Sequence, residues 1–191
     1  MDKITKKIKM NLKKLAHLRK ELVKNNLDGY IVPKNDEFFG EYVNKGNDRL
    51  KYISSFTGSA GFSVILRKKA YLFVDGRYTI QANIESGRIF KIIEIHKKKP
   101  KYILNKVKKV LKLGLDPKIF NETSLLNNFK SSKIKLIQIK KNLIDLIWKN
   151  KPKINYKKFY ILNSKNVGQN YKNKINLIND FLKKKKKLKI F

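Results

Sequence analysis

Hydrolysis and group transfer need a nucleophile beside its base, a pair of carboxylates, or a cluster of metal ligands. The sequence supplies little for any of them. It holds two histidines, His17 and His96, and no cysteine, so thiolate chemistry and disulfides are excluded. Neither histidine is read with a His or carboxylate partner at the three- or four-residue spacing that places two ligands on one helix face. His17 sits among leucines of an amphipathic stretch and reads as a surface or core residue. His96 ends a strand-like run beside Lys97, Lys98 and Lys99 and reads as solvent-exposed. No catalytic residue and no metal ligand is therefore expected in this chain.

Two short runs remain. Thr57, Gly58, Ser59, Ala60 and Gly61 are small residues, and a glycine-bearing turn can expose backbone N–H groups to a phosphate. The Gly-Lys-Ser/Thr ending of a phosphate loop is missing, however, and the run enters a strand where phosphate loops enter a helix. Small residues that let two backbones approach closely are the better reading. The second run is Asp75, Gly76, Arg77 and Tyr78, at a strand-to-helix corner. Asp75 and Arg77 are spaced to form a local ion pair; equally, Arg77 can project outward to a substrate carboxylate or a partner's acid.

The elements that must position these runs follow from periodicity. Leu15, Leu18 and Leu22, with Val23 widening the stripe, predict a helix ending near Asn26. Asp28 and Gly29 break it, and Gly29 to Pro33 reads as a short buried strand. Lys34 to Lys51 has no clean period and reads as a structured loop with a short helix. Phe62 to Leu66 and Ala70 to Val74 are apolar strands joined at Lys68 and Lys69, a tight hairpin. Past the corner a helix runs through Ile80, Ala82 and Ile84. Then come a strand Ile89 to Ile95, a helix Tyr102 to Leu111, a strand Leu113 to Asp116 and a helix Glu122 to Phe129, followed by a strand Ile134 to Ile139 and a short helix Leu143 to Trp148. Alternation with short connections, preceded by a hairpin, predicts an α/β fold with a mixed β-sheet flanked by helices. Lys149 to Lys158 turns to Lys, Asn and Pro and reads as a linker. A strand Phe159 to Leu162 and a helix Tyr171 to Leu182, with Ile175, Ile178 and Leu182 as its stripe, read as the beginning of a second domain. Five lysines, Lys183 to Lys187, follow it. The expected division is residues 1–148, a linker at 149–158 and an incomplete second domain at 159–191, with Lys149 to Phe191 mobile, loosely docked or waiting for a partner.

Composition sets the outer bounds. At 191 residues, 41 % hydrophobic and 11 % aromatic, the chain can bury a core despite its 32 % charged residues. Its apolar runs are far shorter than the roughly 18 to 20 residues of a membrane span, and its N-terminus has no secretory apolar core, so a cytoplasmic location is expected. The net charge of +33 points, taken alone, to nucleic acid or an anionic surface. But Lys, Asn and Ile together make 85 of the 191 residues. All three have A- and T-rich codons, and binding a polyanion gives no reason to enrich Asn and Ile. Of the 47 basic residues 42 are Lys and 5 are Arg, although arginine is the side chain that best reads phosphate and guanine. Compositional drift is the preferred explanation, and nucleic acid an unfavoured partner.

With these residues in place the sequence becomes recognisable. Ser54, Phe56, Thr57, Gly58, Ser59, Ala60 and Gly61, then Asp75, Gly76, Arg77, Tyr78, Gln81 and Ala82, stand at the spacing of the creatinase-type N-terminal domain of Xaa-Pro aminopeptidases. Asp28 to Pro33, Glu41, Tyr42 and Arg49 fit as well, and the resemblance covers nearly the whole chain: Asn142 to Trp148 resembles the end of that domain, and Phe159 onward the beginning of the family's second, similar domain. Two departures are visible: Asn44 stands where a proline is usual, and Ser55 where a glycine is usual.

The resemblance implies a metallopeptidase whose two-metal site, usually manganese, lies in a C-terminal pita-bread domain, so no metal ligand carries over to this chain. It implies an N-terminal domain that supports dimerisation and shapes the substrate entrance, with the arginine of the Asp-Gly-Arg-Tyr motif contacting bound peptide. That role falls on Arg77, conditional on a catalytic domain. The expectation is a non-catalytic N-terminal portion of such an enzyme, inactive alone, with a homodimer or a separately encoded catalytic fragment as possible partners. A basic nucleic-acid-binding or interaction protein that reuses the domain is the alternative.

Overall fold

The computed structural model describes residues 3–153 and 158–185. Expectations that touch 154–157 of the linker, or Lys186, Lys187 and the residues up to 191, lie outside them. The chain divides into two compact units, Met1–Ile154 and Asn155–Phe191.

In the first unit, helix α1 (Lys3–Lys24) turns Leu15, Leu18 and Leu22 into the core, and buried Asn11 extends the same arc. Val23 does not widen it: one residue past Leu22 is about 100° further round the helix, and Val23 faces solvent. Strand β1 (Gly29–Pro33) is buried at every position. The loop after it ends in α2 (Arg49–Ser54), capped by Asp48, whose carboxylate accepts from Lys51 N. The aromatic residues Phe38, Phe39 and Tyr42 of that loop face solvent.

Strands β2 (Gly61–Leu66) and β3 (Ala70–Val74) form the hairpin, closed by Leu66 N donating to Lys69 O at 2.8 Å. A 3-10 turn (Gly76–Tyr78) leads into α3 (Thr79–Ser86). Of the residues on which this helix is read, Ile80 and Ile84 are 77 % and 80 % exposed; Ala82 and Ser86, one turn apart on the opposite side, are the buried pair. Strand β4 (Lys91–Glu94) is shorter than Ile89 to Ile95, since Ile89 and Phe90 still bond back to Ser86 at the end of α3. Helix α4 (Pro100–Leu104) starts two residues earlier than expected, with proline in its first turn where the missing N–H costs nothing, and ends well before Leu111. Leu111 instead opens β5 (Leu111–Leu115); Asp116 caps the next turn. Helix α5 (Glu122–Phe129), strand β6 (Ile134–Gln138) and helix α6 (Leu143–Ile147) complete the unit.

The six strands lie in the order β4-β3-β2-β1-β5-β6. Only β2 runs against the rest, pairing antiparallel with β1 and β3, while β1–β5, β3–β4 and β5–β6 are parallel. Strand alternation sends Tyr30, Val32, Leu72 and Val74 to one face, where Leu15, Leu18, Leu22, Leu50, Ile53 and Leu143 meet them. Ile31, Val64, Phe73 and Leu113 face the other way, toward Leu104 and Phe129. The fold is thus a mixed sheet flanked on both faces by helices, with β3 placed to deliver Asp75 and Arg77 at its C-terminal end.

The second unit contains α7 (Ser164–Val167) and α8 (Tyr171–Lys184), each capped by an asparagine, Asn163 and Asn170. The strand expected at Phe159 to Leu162 does not form: these residues carry no strand pairing and are 51–91 % exposed. A single strand without a neighbour leaves its ladder unsatisfied. No residue of α8 is buried. No helix among the described residues is long and apolar enough to cross a membrane.

Candidate functional site

The corner after β3 is built around one carboxylate. Asp75 Oδ1 accepts from Arg77 N at 3.0 Å, capping the 3-10 turn, and from Arg77 Nε at 2.9 Å. The parallel pairing of β4 with β3 sets Glu94 opposite Val74, and Ile95 N donates to Val74 O at 3.0 Å. That register carries His96 to Asp75, with Nε2 3.6 Å from Oδ2. The hydrogen bonds from Arg77, side chain and backbone, hold the Asp75 carboxyl below the usual carboxylate range.

Arg77 is both locally paired and outward-facing. Its side chain is 74 % exposed, its guanidinium carbon lies 5.6 Å from the centre of the Tyr78 ring, and only Nε is engaged by a protein acceptor among the described residues. Its terminal nitrogens are left to solvent or to a ligand.

Tyr78 joins the two motif runs. Its hydroxyl is 2.7 Å from Ser59 Oγ, a hydrogen bond that holds the phenol below its usual range. Its ring meets Phe56 edge-on at 5.9 Å. Beneath them Gly58 has no room for a side chain, since a Cβ there would lie 2.3 Å from Phe56 Cζ and 2.9 Å from Tyr78 Cδ1. A Cβ on Gly61 would lie 2.8 Å from Phe73 O. The small residues serve close packing, and the run enters β2 rather than a helix, so it lacks the architecture of a phosphate loop.

Two groups that sequence reasoning missed complete the corner. Glu85 accepts from Thr57 N at 2.8 Å and from Thr57 Oγ1 at 2.6 Å, and Gln81 Nε2 donates to Thr57 Oγ1 at 2.7 Å. The glycine run is thereby tied to α3. Glu85 lies one turn after the motif residue Gln81, and that spacing was the available signal. His96 is exposed, as its lysine neighbours imply, but its neighbour Asp75 is visible only once the strand register is known. Glu21 likewise stands one turn from His17, a spacing passed over in the sequence; its carboxylate is engaged by Lys24 Nζ at 2.7 Å.

Arg49, at the start of α2, is buried. Its Nε and Nη2 bind Asp145 Oδ1 and Oδ2 at 3.0 and 2.9 Å, and Nη2 also reaches Glu37 Oε1 at 2.8 Å. Among the described residues no group of three or more His, Cys, Asp or Glu side chains is arranged to hold a metal ion. The donor set among the described residues does not fit a two-metal centre.

A mixed sheet whose glycine run and arginine corner are locked together by aromatic rings defines a small α/β domain of the creatinase kind. The family model for the Creatinase/Prolidase N-terminal domain matches residues 14–145, and the chain belongs to that family. Among curated relatives, the probable Xaa-Pro aminopeptidase P of Coprinopsis cinerea is 32 % identical over 190 aligned residues, covering 91 % of this chain and 29 % of that protein. Xaa-Pro aminopeptidase 2 of Rattus norvegicus is 32 % identical over 178, covering 88 % and 26 %. The chain therefore spans under a third of the length of these relatives. Of solved structures, X-prolyl aminopeptidase from Caenorhabditis elegans, a cytosolic enzyme with a di-nuclear active site, superposes with a TM-score of 0.76 over 92 % of this chain and 32 % of its own, at 24 % identity. The N-terminal domain of the cytoplasmic peptidase PepQ from Mycobacterium tuberculosis matches 70 % of this chain and 97 % of its own, with a TM-score of 0.52 and 18 % identity. These two superpositions support the fold.

Proposed function

We propose that this chain serves as the non-catalytic N-terminal part of a cytoplasmic Xaa-Pro aminopeptidase-like metallopeptidase. It supports dimerisation and shapes the substrate entrance of a catalytic domain that these 191 residues do not supply. The manganese pair implied for the enzyme belongs to that domain, which lies on the same polypeptide or on a separate one. The carrying observation is Arg77: an exposed guanidinium, oriented through Nε by Asp75, with its terminal nitrogens unbonded by protein among the described residues. Such a fork suits a peptide carboxylate or backbone carbonyl at the mouth of an active site. Asp75 acts as the positioning group, and the Ser59–Tyr78 bond keeps the turn beneath Arg77 in place.

The test has two arms. Purified chain with manganese and an Xaa-Pro peptide is expected to give no turnover above a metal-only blank, and activity that co-purifies with the chain overturns the non-catalytic reading. In a chimera that places this chain before the remaining sequence of the Coprinopsis relative, Arg77→Ala is expected to lower kcat/KM by about 10- to 100-fold, the worth of one charge-assisted contact. An unchanged kcat/KM removes Arg77 from the entrance. The net charge of +33 favours a second reading, a basic nucleic-acid-binding protein. It requires affinity that falls steeply with salt yet persists at physiological ionic strength.

A further inference from the structure

Positive charge gathers in one concavity that the aminopeptidase reading leaves unused. A cleft of about 570 Å³ opens at the end of the sheet opposite Arg77, where β2 ends at Leu66 and β3, β4 and β5 begin. Its floor is apolar, with half-buried Leu66, Ile93, Ile103 and Val107 lying over buried Leu104 and Leu111. Seven of its 15 lining residues are Lys or Arg, against a single acid, Asp28. Two of the seven are engaged: Arg67 Nε donates to Leu27 O at 2.9 Å, and Lys109 pairs with Asp28. Lys68, Lys69, Lys91, Lys98 and Lys106 are exposed, and their ammonium groups meet no protein acceptor among the described residues.

Compositional drift explains a lysine-rich surface, yet Lys and Arg are 47 of 191 residues overall, about half their share of this lining. The arrangement also has physical consequences that a flat lysine surface lacks. Like charges around a low-dielectric wall focus a positive potential into the concavity, and their mutual repulsion is relieved when an anion enters. The floor adds binding energy only for a ligand with an apolar body to bury. Stacked single-stranded bases are poorly served, because Tyr71, the one aromatic residue lining the cleft, is buried in the core beneath it. We infer that this cleft binds a small amphiphilic organic anion, a phosphate or carboxylate head among the five free lysines with an alkyl or ring body on Ile93, Ile103 and Val107.

Calorimetric titration of the intact chain with n-decyl phosphate tests this at near-physiological salt. One saturable site per chain is expected, with inorganic phosphate weaker by about tenfold or more, since only the decyl chain reaches the floor. The double variant Lys69→Glu/Lys91→Glu is expected to weaken decyl phosphate by about tenfold or more. The off-strand pair Lys98→Ala/Lys106→Ala is expected to weaken it several-fold, and it serves in place of the first should that one fail to fold. Lys172→Glu/Lys174→Glu on α8 is the control and should change affinity less than twofold. Equal affinity for inorganic phosphate, equal loss from the α8 control, or tighter binding of an oligothymidylate or of phosphatidylserine vesicles than of decyl phosphate would each overturn the inference.

Discussion

Replacing Arg49 by alanine should destabilise the first unit by about 2–3 kcal/mol. The Arg49 side chain is 3 % exposed, and its fork holds Asp145 and Glu37, whose side chains are 29 % and 32 % exposed. Breaking a buried ion pair typically costs about 3–5 kcal/mol because the partner charge is stranded. Here the stranded carboxylates reach water in part, and that solvent screening puts the expected cost at or below the low end of the range. For a unit of this size it corresponds to a fall in Tm of about 5–10 °C. Lysine at the same position restores charge but not the planar fork, and should recover less than half of the loss. The acid response supplies an independent check. Burial alone would raise the pKa of Asp145 and of Glu37, but the hydrogen bonds from Arg49, with Lys151 also on Asp145, outweigh it and hold both below the ordinary range. A depressed folded pKa contributes stability above the unfolded carboxylate values of about 4, and that contribution disappears as pH falls through the folded values. The gap between the native chain and Arg49→Ala should therefore be full at pH 7 and shrink steadily below about pH 4. Urea unfolding followed by the emission of Trp148, the sole tryptophan, reports on this directly, because its ring stacks on Tyr52 at 4.5 Å beside α6. A gap under about 0.5 kcal/mol at pH 7, the scatter of ordinary surface substitutions, or one that stays constant down to pH 3, would refute the reasoning.

Two further outcomes are expected. Gly58→Ala forces a Cβ to within 2.3 Å of the Phe56 ring, and should cost about 1–3 kcal/mol in urea unfolding as an overpacked site; a change under about 0.5 kcal/mol would show that the ring moves freely. Limited trypsin digestion should cut first within the second unit, at lysines such as Lys172 and Lys174 on a helix with no buried residue, and leave a resistant fragment ending near Lys149 to Lys153. Equal protection of those lysines and of the sheet would refute it.

The parts of the fold readable from sequence are those specified over a few residues. The β2–β3 hairpin was legible because two apolar runs flank a two-lysine turn, and the observed strands match the expected limits to within one residue. The strand β1 was bounded by Gly29 and Pro33 in the same way. Helical faces were less so. In α3 the large residues Ile80 and Ile84 outvote Ala82 in any count of apolar periodicity, yet it is Ala82 that joins the core cluster while both isoleucines face solvent. The reach of α4 was overestimated for a related reason: a continuous apolar pattern runs from Tyr102 to Leu111, and only sheet pairing, with Leu111 opposite Ile134, shows where helix gives way to strand.

The site divides along the same line. Asp75 and Arg77 are two residues apart, so their bond was foreseeable; His96 and Ser59 reach the corner through strand register and through Tyr78, across about 20 residues of sequence in each case. Ser55 shows both halves of the problem in one residue. It was noticed as a departure, serine where glycine is usual, and in the structure it takes φ 67°, the left-handed conformation that glycine adopts without strain. What the sequence does not display is the support: Asn11, buried on α1, donates to Ser55 Oγ at 2.7 Å and lies 3.5 Å from Ser54 O. A glycine at position 55 would relax the backbone and forfeit that bond. The two effects are each about 1 kcal/mol and opposed, so the serine is tolerated because the first helix brings an amide to the end of the second. A local oddity of sequence is thus resolved 44 residues away, by the same packing of α1 and α2 on the sheet that holds the Phe56 to Gly61 run against Arg77's corner.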